Sequence, residues 1–221
     1  MVVSVFTDKF ELSRYDEKGL IDNNLTRLVY TTGKFEGLST TLAQTDAIIH
    51  RFEVRDVSPE DQATVLNLKH GYQFLMDHQA SDVTIADILK INQIVKGGQA
   101  NSGNVRTVEV QVPLTNAVWV PPIPGEQTIQ RVQRILNADK SAIDRALELN
   151  LSLSRWQLFV DGNKRTALIA ANLVLVQAGA GILMIPEGKM HWYGSQLAKF
   201  YRTNNMVGLK QWLYDNCLFG M

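Results

Sequence analysis

The chain has 221 residues, of which 45% are hydrophobic and 20% charged, a composition typical of a globular protein with a sizeable buried core. Its 22 Lys and Arg residues balance its 22 Asp and Glu residues, so we expect neither nucleic acid nor an anionic membrane as a partner. A single cysteine, Cys217, excludes an internal disulfide and a cysteine-rich zinc site.

The chain shows no segment that predicts secretion or a membrane span. The first nine residues lack a basic region, and charged residues cut their apolar run short. The longest apolar run, 167–185, has the length of a membrane span, but Gly179 and Gly181 interrupt it. We interpret it as a buried core helix followed by a short extended piece, and we expect a cytoplasmic location.

Helical patterns follow one another along most of the chain. Residues 1–38 are poorly periodic, and no element is assigned there. Ser58 and Thr84 are typical capping residues, and they predict helices that reach about His78 and Gly97. Apolar periodicity predicts further helices over 41–52, 126–136, 141–156, 163–178, from about 186, and over 207–216.

The pattern changes between residues 97 and 124. There Val105, Val108, Val110 and Val112 are β-branched and partly alternate with polar residues, which predicts a short hairpin or flap. The segment is too small to carry the fold. The predicted fold class is therefore mainly α, a helical domain with a short β-hairpin flap.

One polar loop lies between two apolar helices, at residues 158–166. Gly162 permits the positive φ of a tight turn. Lys164 and Arg165 place two cations at a helix N-terminus, which is favourable when an anion binds the free backbone N–H groups. Asp161, just before the turn, is suited to a magnesium ion that bridges phosphates. On spacing alone, a solvated loop with a surface Asp–Arg pair fits equally well.

Residues 159–165, Phe-Val-Asp-Gly-Asn-Lys-Arg, resemble the core of the Fic family motif, His-Pro-Phe-x-Asp/Glu-Gly-Asn-Gly/Lys-Arg. Residues 35–46 are similar to the family's Glu-Gly-Asn-x-Leu-Thr-Leu-x-Glu-Thr-Glu stretch, and 104–112 with 120–122 resemble its flap and the segment after it. The resemblance runs from about residue 25 to 215. Lys164, where glycine is commoner, resembles the death-on-curing branch, in which members can transfer a phosphate instead of AMP.

The resemblance implies a Fic (Fido) domain that transfers AMP from ATP to a hydroxyl of a target protein, with Mg²⁺. It implies that Asp161 coordinates the metal. The anion hole for the nucleotide phosphates would comprise Gly162, Asn163, Lys164 and Arg165. A flap that holds the target segment in extended form would comprise Asn104, Val105, Arg106, Val108 and Val110. Because Fic proteins are often dimers, a homodimer is a further implied assembly; the oligomeric state stays open.

Two adjacent positions depart from the motif. Gln157 stands where the family has the histidine that takes the proton from the target hydroxyl, and Leu158 replaces the usual proline. A glutamine amide has no useful basicity near neutral pH, and the loss of a general base costs roughly 10²–10⁴-fold in rate. We therefore expect a weak or inactive catalyst that still binds nucleotide, since phosphate capture needs only backbone donors and charge.

A third departure concerns regulation. The resemblance also covers the family's inhibitory pattern, Ser/Thr-x-x-x-Glu-Gly/Asn, which Thr32, Glu36 and Gly37 match. The arginine that normally pairs with the inhibitory glutamate falls on Leu168, so Glu36 lacks its usual partner. We divide the chain into an N-terminal segment with this motif, 1–38, and the Fic-like helical domain, 39–221.

Two alternatives to a weakened catalyst stay open. The first is an active nucleotidyl- or phosphoryl-transferase whose base comes from elsewhere, with His191 as the candidate. The second is a non-catalytic protein-interaction module, to which surface tryptophans would contribute; four candidates are Trp119, Trp156, Trp192 and Trp212. Tryptophans at helical spacing are, however, more typical of a core.

Overall fold

Helices make up most of the part of the chain that the computed structural model describes, residues 6–80, 82–114 and 117–221. In that part the helices are α1 (Arg14–Gly33), α2 (Leu42–Ile49), α3 (Pro59–Asp77), α4 (Ile85–Val95), α5 (Glu126–Leu136), α6 (Ala142–Trp156), α7 (Asn163–Gln177), α8 (Met190–Thr203) and α9 (Val207–Asn216). Two single 3₁₀ turns, Lys34–Glu36 and Glu187–Lys189, accompany four short strands, β1 (Val112–Leu114), β2 (Ala117–Trp119), β3 (Ile182–Leu183) and β4 (Leu218–Phe219). The predicted mainly α fold class is confirmed.

Side-chain caps begin the helices where the sequence predicts them. The hydroxyls of Ser58, Thr84 and Ser141 each accept a backbone N–H three residues on, at 3.0, 3.4 and 3.0 Å. Asp87 completes a capping box, because its carboxylate accepts the Thr84 N–H at 2.8 Å. These bonds satisfy N–H groups that a helix leaves without an intrahelical partner.

Helix α7 is the centre of the core, and residues 165–176 along it are all buried. Helices α1, α3, α4 and α6 and strand β3 surround it. Asn172 is its one buried amide beyond the first turn, and it is satisfied by the Leu183 N–H at 2.8 Å and the Leu183 carbonyl at 2.9 Å. The predicted core helix with a short extended piece after it is confirmed. No helix in the described ranges is both long and apolar enough to span a membrane.

Helix α1 is the element that the sequence pattern missed. It packs against α2, α3 and α7, so the N-terminal segment shares the core of the helical domain. Its periodicity is weak because polar side chains are buried with the apolar ones, among them Glu17, Thr31 and Thr32. The Thr32 hydroxyl, for example, lies 2.7 Å from the Tyr72 hydroxyl in the core.

The predicted hairpin is confirmed within residues 97–124, and its strands lie in the second half of that range. Strands β1 and β2 pair antiparallel, with Val112 opposite Trp119, whereas residues 104–111 form no strand. Those residues are held instead by the side chain of Arg106, which is only 3% exposed. Its guanidinium donates to the carbonyls of Gln157 at 2.6 Å, Val108 at 2.7 Å and Pro122 at 2.8 Å.

The hydrogen bonds of the Arg106 side chain, which we call the Arg106 clamp, give a prediction about stability. Replacing Arg106 with Met leaves the buried carbonyls of Gln157 and Pro121 without this donor, and each unsatisfied group costs about 1–3 kcal/mol. We expect Arg106→Met to lower the free energy of unfolding by roughly 3 kcal/mol, measured by urea denaturation. The control is Arg131→Met at an exposed arginine, which should change it by less than about 0.5 kcal/mol. Equal losses in the two variants would contradict the clamp.

Glu17 is a fully buried carboxyl group between α1 and the turn after α7. Its Oε1 accepts the Gly181 N–H at 2.8 Å, and its Oε2 has no hydrogen-bond partner among the described residues. Burial raises the pKa of Glu17 from 4.5 to about 7, although the Gly181 hydrogen bond and the charge of Arg14 act in the opposite direction. The folded protein therefore holds this proton more tightly than the unfolded chain does.

The raised pKa of Glu17 makes stability depend on pH. The contribution of Glu17 to the free energy of unfolding is fully present below about pH 4.5. It is lost as the pH rises through about 7, where the buried carboxyl ionises. Gln keeps the acceptor for Gly181 but does not ionise. We expect Glu17→Gln to match the wild type near pH 4.5 and to exceed its free energy of unfolding at pH 8 by roughly 3 kcal/mol. Denaturation at several pH values checks this, and parallel pH profiles would contradict it.

Candidate active site

The polar loop joins the two most closely packed helices, α6 and α7. Gln157, directly after α6, has a left-handed backbone with φ 51°, and Gly162 reverses the chain again with φ 77° at the start of α7. We call residues 157–162 the motif loop. Leu158 and Phe159 bury their side chains in the core, while Val160 is exposed at the tip.

Two buried asparagines hold the motif loop in shape. Asn163 accepts the Phe159 N–H at 2.9 Å and donates to the Phe159 carbonyl at 2.8 Å. Asn92 of α4 donates to the Asp161 carbonyl and to the Thr166 hydroxyl, both at 3.1 Å. The side chain of Asn163, a predicted anion-binding residue, is therefore committed to the loop, and only its backbone faces the helix start.

Asp161 lies at the outer side of the motif loop and is about half exposed. Its Oδ2 forms an ion pair with Lys96, its Oδ1 accepts the Gly162 N–H at 2.6 Å, and Arg165 lies 3.7 Å from Oδ1. Burial acts to raise the pKa of Asp161, but the hydrogen bonds from Lys96 and Gly162 and the charges of Lys96 and Arg165 outweigh it and lower the pKa. The carboxylate is thus ionised and engaged on both oxygens.

The oxygen donors around Asp161 do not fit a divalent ion as they stand. Among the described residues no three His, Cys, Asp or Glu side chains come together in an arrangement that could hold a metal. Mg²⁺ is often bound by one or two carboxylates together with substrate phosphates, so a single free carboxylate would suffice. Here, however, the Lys96 ammonium already pairs with Oδ2 and the Gly162 N–H donates to Oδ1, so a divalent ion at Asp161 would have to displace a positive charge.

Gln157 occupies the position predicted for the missing base, and it is buried. Its side-chain Nε2 donates to the Ser154 backbone carbonyl at 2.6 Å. Its backbone carbonyl accepts a hydrogen bond from the Arg106 Nε. The neighbouring phenol of Tyr201 has a pKa well above its usual value because it is buried, with Gln157 acting in the opposite direction. Neither side chain is an effective proton acceptor near neutral pH.

The predicted site residues separate onto two sides of the motif loop. A cavity of about 370 Å³, the hairpin-side cavity, is lined by Lys164 and Tyr201 together with Lys34, strand β1 and His191. A second cavity of about 210 Å³, the α3-side cavity, is lined by Asp161, Arg165, Lys96, Glu60 and Asp61, among others. The structure therefore brings His191 to the same cavity as Lys164, although 27 residues separate them in the chain.

The predicted flap residues lie before the hairpin and differ in exposure. Arg106 is buried, Asn104 and Val108 are exposed, and Val105 and Val110 are half-buried. None of the five lines the hairpin-side cavity, which is bordered instead by β1. Their docking role stays a prediction.

The predicted regulatory residues are also placed only in part. Thr32 is buried in the core, and Gly37 is exposed with φ 72° after the 3₁₀ turn. The side chain of Glu36 lies outside the described part of the structure. Leu168, at the position of the family's later arginine, is buried in α7 and offers no charge.

Sequence reasoning missed Lys96 and Asn92, the two residues of α4 and its C-terminal end that contact the motif loop. The sequence pattern does indicate Asn92, since this polar residue interrupts the apolar face of α4 between Ile88 and Val95. Lys96 left none, because it is an ordinary lysine at a helix end, 65 residues before its partner Asp161.

Comparison with known proteins gives consistent results. Residues 82–175 match the sequence model described as the Fic/DOC family. Proteins named protein adenylyltransferase Fic from Drosophila yakuba and Drosophila melanogaster are each 30% identical over 176 residues, which is 75% of this chain and 35% of theirs. The chain thus spans about a third of the length of these curated relatives.

Solved structures share the fold. Fic-1 from C. elegans (residues 134–508) superposes with a TM-score of 0.76 at 21% identity, covering 89% of this chain and 62% of that one. A Fic domain containing signaling protein from Bacteroides thetaiotaomicron gives 0.77 at 18% identity, covering 92% and 86%. BepC from Bartonella tribocorum, solved with bound AMPPNP, gives 0.57 at 13% identity, covering 73% and 85%. These structures share the fold, and the match to the family model together with the 30% identical relatives shows that the chain belongs to the Fic/DOC family.

Proposed function

We propose that the chain binds ATP beside the motif loop and is a Fic-type protein AMP transferase that works weakly or not at all. Binding is supported by the left-handed Gly162 turn, which opens α7 without a side-chain cap, and by Lys164 in the adjoining cavity. ATP as the donor is supported by the adenylyltransferase names of the relatives. The observation that carries the reduced activity is Gln157 in place of the base.

The chemistry of the reaction explains why Gln157 matters more than the other departures. Transfer of AMP to a hydroxyl requires that the hydroxyl lose its proton as its oxygen attacks the α-phosphorus. The Gln157 amide cannot accept that proton, and its Nε2 is bound to the Ser154 carbonyl. Phosphate binding does not need this group, because it depends on backbone N–H groups and cations at the start of α7.

Replacing Gln157 with His should therefore create or raise transfer. Histidine tolerates a left-handed backbone better than most residues, so it fits the φ of 51° at this position. We expect Gln157→His to raise transfer of label from ATP labelled at the α-phosphate, to the chain itself or to lysate proteins, by roughly 100-fold or more. The Kd for ATP, measured by calorimetry, should stay the same.

The matched control for that variant is Gln157→Ala, which removes the amide and supplies no base. It should bind ATP like the wild type and transfer no more label. ATP binding by Gln157→His without any gain in transfer would contradict the proposed role of position 157.

A second candidate function, an active transferase with His191 as the base, is favoured by one observation. His191 and Lys164 line the same cavity, next to strand β1 where an extended target segment would lie. An imidazole is the side chain best suited to accept a proton near neutral pH. Label at the α- or γ-phosphate of ATP distinguishes AMP transfer from phosphate transfer.

The two candidates predict opposite results for the wild type. If His191 is the base, the wild type transfers label, and His191→Ala lowers the rate roughly 100-fold or more. His50→Ala, at an exposed histidine after α2, is the control and should leave the rate unchanged. A wild type that transfers nothing eliminates the His191 candidate.

If the wild type neither transfers label nor binds ATP, the protein-interaction module is the remaining alternative. Of the four tryptophans considered for such a module, Trp192 is the exposed one, at 38%, and its ring centroid lies 4.4 Å from that of Trp212. Trp119 and Trp156 are partly buried against the core.

A further inference from the structure

The conflict between Asp161 and a divalent ion leads to an inference that rests on the proposed ATP binding. We infer that the Lys96 ammonium takes the place of the metal at Asp161, so that this chain binds ATP without Mg²⁺. A lysine ammonium has three N–H donors, and the described contacts of the Lys96 Nζ use one of them, for Asp161. Two donors are left for phosphate oxygens.

The position of Lys96 is built into the fold. It caps the C-terminus of α4, where a positive charge interacts favourably with the helix dipole. Its side chain passes over Gly162, because a Cβ at that glycine would lie 3.3 Å from the Lys96 Cδ. The side chain is 20% exposed, so the charge is largely shielded yet reaches the surface of the loop. Gly162 thus provides both the turn and the space for the lysine.

The charges of the site support a metal-free mode of binding. Within the motif loop and the first turn of α7, Asp161 is the one carboxylate, and it lies between Lys96 and Arg165 on the α3 side and Lys164 on the hairpin side. Glu60 and Asp61 at the start of α3 also line the α3-side cavity; Glu60 is exposed, and the half-buried Asp61 accepts a hydrogen bond from Ser39 at 3.0 Å. The excess of positive charge therefore lies at the start of α7, where phosphate would bind.

Calorimetry of ATP binding in EDTA and in excess Mg²⁺ tests the inference. We expect the wild type to bind ATP in both conditions. Lys96→Met should weaken binding roughly 10- to 100-fold in EDTA, the value of a hydrogen bond to a charged group. In Mg²⁺ the loss should largely disappear, because the freed Asp161 carboxylate can now hold the ion. Variants are compared with the wild type within each condition, because free ATP and its magnesium complex are different ligands whose affinities are not directly comparable.

Three further variants separate the explanations. Lys96→Arg keeps the charge and should keep metal-free binding. Lys96→Met combined with Asp161→Asn should lose the rescue by Mg²⁺. Lys90→Met, at an exposed lysine of the same helix, should behave like the wild type. Thermal denaturation followed by circular dichroism confirms that each variant is folded.

The outcomes that overturn the inference are distinct from failure of the proposed function. Wild-type binding that disappears in EDTA shows that a metal is required. Equal binding of wild type and Lys96→Met in EDTA shows that Lys96 is only a structural ion-pair partner. If no variant binds ATP in either condition, the proposed ATP binding fails, and this inference fails with it.

Discussion

The structure of the site depends on two buried asparagine side chains that replace regular secondary structure between α6 and α7. A tight loop inside a helical core exposes backbone groups to an apolar environment, where each unpaired group is costly. Asn163 satisfies both backbone groups of Phe159, and Asn92 satisfies the Asp161 carbonyl. With these bonds in place, the loop can hold Gly162 and Asp161 at the start of α7 without strand or helix partners.

The residues of the loop to which functions are assigned lie on two different sides of it. Gln157 and Tyr201 lie on the side of the hairpin. Asp161 and Lys96 lie on the side of α3. Proton transfer and charge neutralisation therefore depend on different neighbourhoods, so one of them can change in sequence while the other is preserved.

The sequence predicts an element correctly when the interactions that form it join residues close together in the chain. Helices α3, α4 and α6 were predictable because capping bonds join residues three apart in sequence. Helix α1 was not, because its buried face includes Glu17, whose hydrogen-bond partner Gly181 lies 164 residues away. The strands of the hairpin lie within the predicted range 97–124 but begin only at Val112, because the buried Arg106 side chain ties the preceding segment to the carbonyls of Gln157 and Pro122. The motif residues of the site were predictable, but their partner Lys96 comes from another helix.

The backbone at Gln157 explains how the base can be absent without damage to the fold. Position 157 ends α6 in a left-handed conformation, and its backbone forms two hydrogen bonds. The backbone N–H donates to the Leu153 carbonyl, and the backbone carbonyl accepts from the Arg106 Nε. Neither bond involves the side chain, so the fold places little restriction on which polar residue stands there. A glutamine can fill the buried space beside Tyr201 while its amide bonds to the Ser154 carbonyl. Under the proposed function, the catalytic base can therefore be lost while the loop, the start of α7 and the Lys96–Asp161 pair are retained.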